Sequence, residues 1–193
     1  ISYLNTSNDT FHYGEEAAPP AAVALSVARR LGIETAPICI EPPKVSYESS
    51  TEEDKGRPVV GGGAMFRGRA VEKLSDNLPL RSWEDLCECP YEDLRSPSRV
   101  HVDPFGNVHI CQGISMGNMR KMPLAELINN YHPYSHPVCG PLIRGGPAEL
   151  AKVLGVKPEP GYIDECHLCF SARRAKIDNY ADYLAPRQVY GLD

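Results

Sequence analysis

The sequence predicts an α/β chain in two parts: a strand–helix–strand unit, then a small Cys-rich α+β region built on a β-hairpin. Three observations predict it. Two apolar, β-branched runs, Ile1–Ser7 and Ile33–Ile40, flank an amphipathic helical segment. The stretch RVHVDPFGNVHIC alternates apolar and polar residues on either side of a Pro/Gly turn. Every cysteine except Cys39 lies from Cys87 onward. The expected division is residues 1–76 and 77–193.

In the first part, Pro19 and Pro20 suit initial helical positions, where a missing N–H costs nothing. AAVALSVARRLG then has one apolar face and a stop at Gly32. The second run carries Pro37, which weakens it as a strand. Strand, crossover helix and strand make a βαβ unit, whose strands are parallel. Ligands approach such units beyond the C-terminal strand ends, where Asp9, His12, Glu41 and Lys44 fall. Asp9 and His12 read either as a proton-transfer pair or as a capped turn with a packed ring. Residues 42–57 are polar, with almost nothing to bury. RPVVGGGAMFRGRAVEKL reads as a third strand leading into a helix near Gly68. Its glycines are not a phosphate-binding Walker loop, because the Gly-Lys-Ser/Thr ending is absent.

In the second part, DPFGN places Pro104 early in the hairpin turn and Gly106 where φ is positive. PLAELINNY is a short helix with Pro123 in its first turn, and GGPAELAKVLG is another, stopped by Gly155. Arg144 and the glycines before that helix make an anion-binding spot or a plain helix start. CHLCFSARRAKID opens a final helix, on which RRAK reads as a solvated face.

The cysteines carry the chemistry. Cys166 and Cys169 form a Cys-x-x-Cys at a helix start, a spacing that lets two sulfurs reach one centre and whose N–H dipoles favour thiolate. Cys111 ends the second hairpin strand, and Cys89 precedes Pro90, which fixes its backbone. Cys89, Cys111, Cys166 and Cys169 are the candidate metal ligands, either for an iron–sulfur cluster or for structural zinc. Cys87 and Cys139 are reserves, and for Cys139 burial and ligation stay open. Cys39, in an apolar run, reads as a small buried residue. Strand alternation puts His109 on the face of Cys111, so it is the one hairpin histidine considered as a ligand or as a donor to sulfur.

Composition narrows the setting. A net charge of −5 argues against nucleic acid or an anionic membrane as main partner. No apolar run is long enough for a membrane span, and no export signal opens the chain. Seven cysteines, an odd count in 193 residues, argue against a secreted disulfide framework and for reduced thiols in the cytoplasm. The chain starts at Ile1 inside a strand-like run and reads as a piece of something longer.

Taken together, Gly-x4-Cys (Gly106 to Cys111), GN (Gly117, Asn118), the PLAEL helix and the terminal Cys-x-x-Cys resemble the SPASM or twitch-type extension of radical S-adenosylmethionine (radical SAM) enzymes. GIETAPICI and MFRGRA are similar to late elements of the same enzymes' partial (β/α) barrel, and NDTFH to an Asp-x-x-His loop in one branch of them. The resemblance implies the end of a partial barrel capped by an auxiliary 4Fe-4S cluster that relays electrons or anchors substrate. It implies a radical oxidoreductase or transferase acting on a small molecule or peptide, with a ferredoxin or flavodoxin as electron donor. It also implies S-adenosylmethionine bound by the full-length enzyme, with Arg67 or Arg69 pairing its carboxylate. The chain departs from the family in lacking Cys-x3-Cys-x2-Cys, the motif that cleaves S-adenosylmethionine, so alone it is not expected to generate the radical. No cysteine follows Cys169, which favours one cluster over two. The rival reading is a zinc-stabilised binding module without a redox role.

Overall fold

The computed structural model describes residues 2–7, 19–46 and 59–192. Asp9 and His12, and most of the polar segment 42–57, lie outside the described residues. The chain is a mixture of helices and small sheets in two compact units, Ile1–Ala64 and Met65–Asp193.

In the first unit, β1 (Tyr3–Ser7) pairs in parallel with β2 (Glu34–Ile38), from Tyr3 opposite Glu34 to Ser7 opposite Ile38. The crossover is α1 (Pro19–Arg30), so the βαβ unit read from the sequence is present. Ala21, Leu25 and Ala28, spaced along one helical face, are buried. Pro37 is tolerated within β2, opposite Thr6. Cys39 corrects an expectation. It lies just after β2 and is exposed, because the apolar run outlasts the paired strand. A short antiparallel pair, β3 (Val45–Ser46) with β4 (Val59–Val60), completes this unit.

The second unit begins earlier than the composition suggested. Residues 65–76 pack with the Cys-rich region: Phe66 is buried, Val71 packs on its core and Glu72 pairs with Arg174 at 3.0 Å. The segment includes α2 (Arg69–Lys73), which starts after Gly68 as expected. Next come β5 (Arg81–Ser82), a 3-10 turn at Trp83–Asp85 and the hairpin.

In the hairpin, β6 (His101–Val102) pairs antiparallel with β7 (Asn107–Cys111), His101 opposite His109. Asp103 organises the turn: its carboxylate accepts the N–H groups of Phe105 and Asn107 at 2.9 Å. The sequence did not reveal the other partner of β7. A third strand, β8 (Ile114–Asn118), follows a tight turn at Gln112–Gly113, with register shifts on either side of His109.

The helices are α3 (Leu124–Asn129), α4 (Cys139–Val153) and α5 (Glu165–Arg174), with β9 (Gly161–Tyr162) pairing β5. The expected helix after the glycines is only the second half of α4. A first half, from Cys139, runs into a kink at Gly145 and Gly146. His136 holds its start: Nδ1 accepts from the N–H groups of Val138 and Cys139 at 3.2 and 3.1 Å, so Nε2–H donates to the Ser115 carbonyl at 3.2 Å. Asp164 caps α5, accepting the His167 N–H at 2.8 Å. Leu86, Ile110, Leu142, Leu150, Leu168 and Phe170 form the core of this unit, and Cys111, Cys139 and Cys169 are built into it.

Candidate metal centre

Three segments bring the predicted ligands to one place. Cys89 comes from the loop after the 3-10 turn, Cys111 from the end of β7, and Cys166 and Cys169 from the first turns of α5. All four line a single small pocket of about 20 Å³, with Leu94, Ile114, Leu142 and Pro147 as its apolar wall, Arg67 and Arg173 as its cations and Glu165 as its carboxylate. All four are free thiols, with no disulfide among them. Both sulfurs of the Cys-x-x-Cys line the pocket, because one turn of α5 carries both side chains to it.

Each sulfur has a distinct environment. Cys89 begins a Cys-Pro-Tyr-Glu turn whose Tyr91 and Glu92 N–H groups bond its sulfur. These bonds favour thiolate, but burial, reinforced by Cys169 and Cys111, wins, and the thiol is pushed up to about 11. Arg67 donates from Nη1 to the Cys111 Sγ at 3.1 Å. Burial raises Cys166, and the Asp164 carboxylate adds to it, against the opposing charge of Arg67. Cys169 is raised by burial, with Arg173 opposing. The thiolate-favouring helix start is thus outweighed at both α5 cysteines by desolvation. Without a positive centre between them the α5 thiols and Cys89 are protonated at neutral pH. A metal must displace those protons.

The reserve cysteines separate from this set. Cys139 is fully buried and hydrogen-bonded to Tyr131, whose hydroxyl donates to the Leu94 carbonyl at 2.7 Å. Burial pushes it up to about 12. Its side chain is committed to the core. Cys87 is exposed and donates to the Glu84 carbonyl at 3.0 Å. His109 is buried, but its Nε2 faces Asp103 Oδ2 at 3.1 Å and it lines a different cavity, with His101 and Gln112. The register shifts around His109 break the simple alternation on which its expected approach to Cys111 rested.

The residue that sequence reasoning misplaced is Arg173. The RRAK stretch reads as solvated, yet Arg173 is 1% exposed, while Arg174 beside it pairs with Glu72. Its Nε donates to the Cys169 carbonyl at 3.2 Å. Its Nη1 donates to the Gln112 carbonyl at 2.8 Å and to the Tyr190 hydroxyl at 2.9 Å. The i, i+4 spacing from Cys169 was the available signal, since it puts both on one helical face. Arg69, paired with Arg67 in the sequence reading, is exposed at the start of α2.

Among the described residues, no group of three or more His, Cys, Asp or Glu side chains is arranged to hold a single metal ion. The four thiols instead ring a pocket. No helix among the described residues is long and apolar enough to cross a membrane. The chain matches no protein-family model, no curated protein and no solved structure.

Proposed function

We propose that Cys89, Cys111, Cys166 and Cys169 hold an iron–sulfur cluster of the 4Fe-4S type, and that the chain is the C-terminal part of a radical SAM enzyme. The observation that carries the reading is the shared pocket: four unpaired thiols from distant parts of the sequence line one small space. The donor chemistry fits, because soft thiolates select iron–sulfur clusters and zinc over hard cations. A single tetrahedral ion with bonds of about 2.3 Å would need sulfurs about 3.8 Å apart. A cluster instead places its own atoms between the ligands, so its sulfurs stand farther apart. Bound there, the cluster would exchange single electrons or, with one ligand missing, anchor a substrate heteroatom.

On this reading the βαβ unit is the end of the partial barrel. S-adenosylmethionine belongs to the full-length enzyme, whose cleaving motif this chain lacks. The substrate is a small molecule or peptide, and a ferredoxin or flavodoxin supplies electrons.

Metal analysis of anaerobically purified protein tests the assignment. Iron with acid-labile sulfide and a brown colour supports it. A colourless protein carrying one zinc per chain would replace it with the zinc-stabilised binding module.

A further inference from the structure

We infer that Arg173, together with Arg67, is the positioning and charge-compensating pair of the thiol centre. Arg173 fixes Cys169 and Cys111 relative to each other, and the two guanidiniums set the centre's potential. The inference rests on the cluster reading above and assigns the second coordination layer of that site.

A guanidinium buried to 1% exposure is costly unless a negative group answers it. Among the described residues no carboxylate does. Glu165, the buried carboxylate on the same helix, is held by Arg81 at 2.8 Å. The Tyr190 hydroxyl donates its proton to the Gly113 carbonyl at 2.8 Å, so it is neutral. Backbone carbonyls of Cys169 and Gln112 supply only partial charge. Besides Tyr190, the groups that act on Arg173 as anions are the sulfurs of Cys169 and Cys111. A cluster on those sulfurs supplies the missing negative charge.

The fork of Arg173 reaches two cysteine-bearing elements at once: Nε holds the carbonyl of Cys169 on α5, and Nη1 holds that of Gln112, the residue after Cys111. Tyr190 closes the far side, stacked on Phe170 and so near the β7–β8 turn that a Cβ on Gly113 would stand 2.7 Å from its hydroxyl. Arg67 approaches Cys111 from another segment and bonds the sulfur itself. Cations and hydrogen bonds at ligand sulfurs stabilise the more negative, reduced form, and so raise the potential.

The test uses the full chain, reconstituted anaerobically with iron and sulfide, as wild type, Arg67→Gln, Arg173→Lys and Arg173→Met. Iron content and spectroelectrochemical midpoint potential are measured for each. Arg67→Gln is expected to shift to a more negative potential. Arg173→Met is expected to shift further in the same direction or to lose iron. Arg173→Lys is expected to stay near the wild-type potential but to lose iron faster to a chelator, because it keeps the charge without the fork. Should Arg173→Met fail to fold, Arg67→Gln decides. Wild-type potential in every loaded variant overturns the inference and leaves the cluster reading standing. A wild-type protein that takes up no iron overturns the cluster reading and this inference with it.

Discussion

Gly146 lies against Cys87: a Cβ built on it would stand 2.7 Å from the Cys87 carbonyl oxygen and would overlap the carbonyl carbon and the Glu88 nitrogen. The kink of α4 therefore serves as the seat of the segment that carries Cys89. The Ala148 N–H donates to the Leu86 carbonyl at 3.0 Å and pins the same segment from the next turn. At φ +61°, Gly146 also holds a conformation that other residues resist.

Gly146→Ala is accordingly expected to destabilise the protein by about 1–3 kcal/mol and to lower metal loading, because the backbone that must yield is that of the Cys89 loop. Thermal unfolding and iron content, measured together, check it. Gly155→Ala is the matched control. It also has positive φ but nothing within 4 Å of the added methyl, so it should cost stability without affecting loading.

Cys139→Ala separates core from centre. The substitution removes a fully buried thiol bonded to Tyr131, and the expected loss is about 1 kcal/mol. Metal content and the visible spectrum should stay at wild-type values. A loss of iron comparable to that of a ligand variant would place Cys139 in the coordinating set.

The metal-free protein should lose stability in alkali. The Cys89 thiol rises from 9.0 to about 11 on folding, through burial first and then Cys169 and Cys111. A group whose folded value is raised stabilises fully below its unfolded value and loses that contribution as pH climbs through the folded one. The stability of the metal-free chain in chemical denaturation should therefore fall progressively between pH 9 and 11. Cys89→Ala should remove that part of the slope, and metal loading should flatten it, since the ligands are then already deprotonated.

Local patterns made much of this molecule readable. The βαβ unit follows from two apolar runs around a helix of period 3.6, the hairpin from alternation around DPFGN, and the four thiols that share one pocket from cysteine spacing next to proline and a helix start. What escaped depends on distant partners. The β7–β8 pairing survives two register shifts that disguise its alternation. Cys39 sits in an apolar run but beyond the last paired residue of β2, so it is exposed. Arg173 reads as solvent-facing because its partners, Gln112 and Tyr190, lie 61 and 17 residues away in the chain. A charge run signals a wet surface until a fold supplies carbonyls and sulfurs to receive it.

The central claim is that four particular sulfurs share one inorganic centre. Iron and acid-labile sulfide per chain, measured after anaerobic reconstitution of wild type and of each single Cys→Ala variant, test it most directly. The account predicts about four of each for wild type, near-complete retention for Cys39→Ala, Cys87→Ala and Cys139→Ala, and loss or a smaller, unstable cluster for Cys89→Ala, Cys111→Ala, Cys166→Ala and Cys169→Ala. Equal loading across all seven variants, or none in wild type, would contradict it.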